Sequence, residues 1–105
     1  MAVAALALAA LQSGHAAGAT ATASRAKGVD IDHFAFHPPT QRVKRGGKVA
    51  FTNSSNVTHT ATSGGHFNTK RIAPGETVVV HFSQKGTFFY HCEIHPFMKG
   101  KIVVE

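Results

Sequence analysis

Beyond residue 28 the chain divides its apolar residues into short runs separated by turn formers, and this punctuation leaves no room for a long amphipathic helix. In "APGETVVVHFSQKGTFFYHC", Pro74-Gly75 and Lys85-Gly86 bracket Val78, Val80 and Phe82 in one alternating phase, and Phe88, Tyr90 and Cys92 share the next. "RVKRGGKVAFTNSS" repeats the arrangement around Gly46-Gly47, and "KGKIVVE" closes the chain as a last strand. In "VDIDHFAFHPP", Val29 and Ile31 hold one phase and Phe34 and Phe36 the other, so a bulge near Asp32 and His33 is expected to bring all four to one face. About seven or eight short strands with almost no helix predict an all-β sandwich.

A chain of 105 residues supports one domain with a modest core. Its first residues, Ala2 to Leu11, form an unbroken apolar run followed by small and polar residues. That run suits a signal-peptide core and is too short to span a bilayer. Small-x-small cleavage patterns end at Ala21 and Ala23. The expected organisation is a leader over 1–23, a linker over 24–28 and a folded domain over 29–105, exported or periplasmic, with no stable membrane insertion once the leader is removed.

Eleven Lys and Arg against five Asp and Glu give a net charge of +6, none of it in the first 24 residues. The chain that follows the leader therefore carries it all, and an acidic partner is expected. Nucleic acid is the rival partner, but Arg42, Lys44, Arg45, Lys48, Lys70, Arg71, Lys85, Lys99 and Lys101 are scattered, and no nucleic-acid module surrounds them.

The only cysteine and the only methionine besides Met1 lie within one seven-residue stretch, "CEIHPFM". Cys92 falls at the inward end of a strand, and the two-residue spacers Glu93-Ile94 and Pro96-Phe97 let Cys92, His95 and Met98 converge when the following loop closes. Thiolate, imidazole and thioether together favour copper, because two His and one Cys in a plane with a weak axial Met is a blue-copper donor set. A second histidine must come from elsewhere. His59, in "NSSNVTHTATS", is preferred over His66, which follows two glycines, because Thr58 to Thr62 is β-prone and a strand end holds a side chain rigidly. His33, His37, His66, His81 and His91 are read as surface or supporting residues.

The segment "GTFFYHCEIHPFMKGKIVVE", with "THTATS" upstream, resembles the cupredoxins, and the Cys-x2-His-x2-Met spacing looks most like amicyanin within the plastocyanin-like group. The resemblance extends over nearly all of the chain from Val29. It implies a Greek-key β-sandwich that holds one copper through His59, Cys92, His95 and Met98. Two features depart from the family pattern: Thr60 stands where the residue after the first histidine is often Asn, which leaves both blue and green sites open, and the domain is strongly basic.

Copper cycling between two oxidation states needs one geometry held for both, and ligands on a rigid sandwich supply it. The expected function is that of a monomeric one-electron carrier between a redox protein donor and acceptor, not an enzyme. Copper delivery or storage is the alternative. A zinc site is disfavoured by Met98 and a missing fourth Cys or His. A cysteine nucleophile would give Met98 no role. A multicopper oxidase or reductase would need histidine clusters that the chain lacks.

Overall fold

The computed structural model describes residues 26–105. The expected leader, with both cleavage patterns, and positions 24 and 25 lie outside the described residues. Among the described residues there is no helix, and nine strands form two facing sheets.

One sheet holds β1 (Lys27–Asp32), β2 (Ala35–His37), β4 (Gly47–Asn53) and β7 (Thr77–Phe82), in the order β2-β1-β4-β7. The other holds β3 (Thr40–Val43), β5 (Thr62–Ser63), β6 (Phe67–Asn68), β8 (Gly86–His91) and β9 (Lys99–Val104), in the order β3-β9-β8-β5-β6. β1 with β4 and β3 with β9 pair in parallel, and the remaining pairs are antiparallel. The all-β sandwich is therefore as expected, with the two-residue strands β5 and β6 too short to leave a periodic trace in the sequence. Lys27 and Gly28, expected in the linker, belong to β1, where they pair with Val49 and Ala50. Both are exposed and show no apolar phase, so only the distant partner strand reveals their place.

The strands flanking Gly46-Gly47 lie in different sheets, as do those flanking Lys85. At the first crossing Gly46 has φ +87°, its N–H donates to Phe82 O at 2.6 Å, and a Cβ on Gly47 would stand 2.6 Å from Val43 Cγ2. Glycine is required at both positions for separate reasons, backbone conformation and space.

The inward phases fill the space between the sheets. Val29 and Ile31 from β1, Val49 and Phe51 from β4, Phe82 from β7 and Ile102 from β9 are buried. Tyr90 is ringed by Phe36, Phe51 and Phe67 at centroid distances of 4.7, 5.5 and 5.8 Å. Phe36 and Phe51 meet it edge-on, which adds to the gain from buried area. Phe34 departs from expectation. No bulge brings it inward; β1 and β2 are joined by a two-residue turn, His33-Phe34, and the Phe34 ring stands outside the core, 46% exposed.

Candidate metal centre

Two separate pieces of chain deliver the site. The first is anchored by Asn53, the fully buried last residue of β4. Its side-chain amide donates to Val57 O at 2.7 Å and Ile72 O at 2.8 Å, while its Oδ1 accepts the Ser55 N–H at 3.0 Å and the Ser55 hydroxyl at 2.6 Å. A buried polar side chain with its capacity filled in this way fixes the loop that follows. Two residues beyond Val57, His59 exchanges backbone hydrogen bonds with Ile72, at 3.2 and 2.7 Å. The rigid hold expected from a strand end thus comes from an isolated bridge, and β5 begins only at Thr62.

The second piece is the loop after β8. Cys92 follows the strand directly, its N–H donates to Met98 O at 3.1 Å, and the Met98 N–H donates to His95 O at 2.9 Å. These two bonds close the loop and return Met98, which is buried, to the start of its own turn. Between them the pieces bring His59, Cys92 and His95 together, with one ligand atom from each lying within 4.8 Å of the others.

Cys92 Sγ stands 3.8 Å from His59 Nδ1 and 3.8 Å from His95 Nδ1. Donors bound at metal–sulfur and metal–imidazole distances of about 2.3 and 2.1 Å in a trigonal plane would stand about 3.8 Å apart. The spacing therefore fits one ion between them. The Thr60 N–H points at Cys92 Sγ from 3.4 Å, a donor suited to a thiolate. Burial, followed by the neighbouring His95 charge, pushes the His59 pKa below its ordinary value and so favours the neutral ring a metal requires. His59 Nε2, on the side away from the sulfur, is buried with no hydrogen-bond partner. Two sulfur donors beside two imidazoles make copper the fitting metal, and His59, Cys92, His95 and Met98 are positioned as a copper site.

His66 lies elsewhere, its ring edge-on to Phe88 at 5.0 Å. His81 is exposed on β7, and His91, half-buried on β8, points away from the Cys92 face. Sequence reasoning missed Phe34. Its ring centroid lies 5.6 Å from that of His59 and 5.2 Å from that of His95. It also missed Lys70 and Arg71, which line a groove with Thr60, Asn68, Glu93 and Ile94 beside the site. No local signal marks either feature, because each depends on segments far apart in the chain.

Residues 1–104 match the family model of the cupredoxin-like domain. The chain is 35% identical over 87 residues to amicyanin-alpha of Methylorubrum extorquens, covering 73% of this chain and 70% of that protein. It is 34% identical to amicyanin of Paracoccus denitrificans over 73% of this chain and 63% of the relative. Among solved structures, a reduced point variant of amicyanin superimposes with a TM-score of 0.73 at 31% identity, over 77% of this chain and 83% of that one. An oxidised variant does so with 0.74 at 31% identity, over 78% and 84%.

Proposed function

The chain belongs to the cupredoxin-like family, and from that premise we propose that it is an exported, monomeric blue-copper protein that carries single electrons between redox partners. The observation that carries the reading is the placement of the Cys92 sulfur 3.8 Å from both Nδ1 atoms in a buried site. Copper bound there would supply a one-electron couple between Cu(I) and Cu(II). The residues supply the rest. Cys92 would bind as a thiolate, stabilised by the Thr60 N–H, with His59 and His95 neutral at Nδ1 and Met98 as a soft thioether donor. Fixed donors keep one geometry for both oxidation states, so little must rearrange when an electron moves.

His59 and Cys92 are fully buried and Met98 nearly so, whereas His95 is only half-buried. The rims of its imidazole meet exposed Phe34 and Phe97, with exposed Ile94 preceding it in the loop. His95 is thus the route by which electrons would pass, through an apolar surface that a partner can cover. Because a substrate has no access to the sulfur, the site suits a carrier and not an enzyme.

The net charge of +6 favours acidic partners as donor and acceptor. Lys101 rests over the Phe89 ring at 5.8 Å, on the outer face of the five-stranded sheet. Lys70 and Arg71 flank the groove beside Thr60 and Ile94, so these two cations would steer an acidic surface to the copper end.

A visible spectrum of copper-loaded protein tests the reading. The oxidised protein is expected to be intensely coloured by thiolate-to-copper charge transfer, and Cys92→Ser colourless. Colour that survives Cys92→Ser, or uptake of zinc alone, would sink it. Rapid surrender of the copper to a chelator would favour delivery over electron transfer.

A further inference from the structure

We propose that Phe34 is a clamp that positions the two metal-site imidazoles, held in place by a turn whose backbone is strained for that purpose. The inference rests on the copper-site reading for one of its readouts and on the chain's own geometry for the others.

The last pair of the β1–β2 hairpin is Asp32 with Ala35, leaving His33 and Phe34 as a two-residue turn. Their φ angles are +51° and +53°. Two consecutive left-handed residues define the hairpin turn normally made by Asn-Gly or Asp-Gly, and a bulky aromatic residue in that conformation is an outlier. Such strain persists only where the surroundings impose it, and it concentrates at functional sites. The turn's own hydrogen bonds do not explain the choice of residue. Asp32 accepts the His33 N–H at 3.0 Å and pairs with the His33 ring at 3.2 Å, and neither contact involves the Phe34 side chain.

The reason lies across the site. The Phe34 ring meets His59 at an interplanar angle of 86° and His95 at 79°, so one phenyl group makes edge-to-face contact with both imidazoles at once. The two imidazoles lie 5.0 Å apart and the Phe34 ring stands against both. His59 is already fixed by burial and by its bridge to Ile72. His95 is not. Its backbone carbonyl is held by the Met98 N–H, but besides Phe34 and His59 the aromatic contact on its ring is Phe97, itself 68% exposed. Phe34 therefore joins Cys92 Sγ, 3.8 Å from His95 Nδ1, and the His59 ring in tying the His95 ring to the fixed part of the site. A glycine in its place would suit the turn and lose the clamp.

That opposition gives the test. His33→Asn should raise the melting temperature of the apoprotein, since Asn tolerates the left-handed region, while leaving the site as it is. His33→Asn combined with Phe34→Gly should raise it further, by about 5 °C in all for a domain of this size. The same double variant should free the His95 ring. In the apoprotein, proton NMR should show nuclear Overhauser contacts from the Phe34 ring to both imidazoles, and the His95 ring should lose order in the double variant. In the copper-loaded protein the reduction potential should fall, because water admitted to the site favours the more highly charged oxidised state. Phe34→Tyr should retain the wild-type potential and ring order.

A double variant that melts lower than wild type would overturn the strained-turn argument. One that melts higher but keeps the His95 ring as ordered as in wild type would overturn the clamp. A wild-type protein that takes up no copper would overturn the electron-carrier reading, and the apoprotein NMR would still decide the role of Phe34.

Discussion

The Thr60 N–H lies 3.4 Å from Cys92 Sγ, and the Thr60 hydroxyl accepts the Glu93 N–H at 2.9 Å, so the residue after His59 grips both Cys92 and its successor. Thr60→Pro removes the N–H. The thiolate would then donate more strongly to Cu(II), and the reduction potential is expected to fall, which voltammetry would show. An unchanged potential would deny the hydrogen bond any electronic role. Thr60→Val keeps the N–H but leaves the Glu93 amide without its acceptor, at a cost of about 1 kcal/mol in stability.

Burial pushes the His59 pKa below its ordinary value of 6.5. Above that value neither the folded nor the unfolded chain binds the proton. As pH falls below it, the unfolded chain takes up a proton that the folded chain resists, so apoprotein stability should be full above about pH 6.5 and decline below it. Denaturant melts of the apoprotein on either side of that pH would show the loss, and His59→Phe should remove part of it. Equal acid sensitivity in that variant would place the effect elsewhere.

The Tyr90 hydroxyl is buried without a hydrogen-bond partner, and the same burial pushes its pKa up. Tyr90→Phe is expected to stabilise the fold by about 1 kcal/mol by removing an unpaired group. Gly100 faces the same ring: a Cβ there would stand 2.5 Å from Tyr90 Cζ. Gly100→Ala should therefore destabilise by about 1–3 kcal/mol. Thermal melts of the two variants should move in opposite directions.

Lys70 and Arg71 line the groove beside Ile94, while Lys101 covers Phe89. Charge reversal at Lys70 and Arg71 should slow association with an acidic redox partner about tenfold at low ionic strength, and more than Lys101→Glu does. Stopped-flow rates across a salt series would distinguish the two surfaces. Equal slowing would spread the steering over the whole domain.

Features written in neighbouring residues were legible before the fold was known. The spacing of Cys92, His95 and Met98 fixes both the donor types and the length of the loop that gathers them. The phase of Val78, Val80 and Phe82 was readable because strand alternation is local. The Gly46-Gly47 turn was equally visible, yet nothing nearby says that its two strands enter different sheets. Phe34 was misread for a similar reason. Alternation assigns it to the core with Phe36, and only the pull of two distant imidazoles accounts for a phenylalanine at positive φ. The Asn53 network was hidden as well, since its acceptors, Val57 and Ile72, come from separate segments.

His59 and Cys92 are separated by 33 positions in sequence and by 3.8 Å between Nδ1 and Sγ. An ion bound to both would tie off the intervening chain as a covalent cross-link does. For a disulfide spanning a loop of that length, the lost freedom of the unfolded chain corresponds to about 3–4 kcal/mol. With one cysteine the chain has no internal disulfide with which to staple so small a domain. The metal would therefore fasten the fold as well as carry the electron, and a mutation that weakens its grip would be felt first as a protein that unravels more readily.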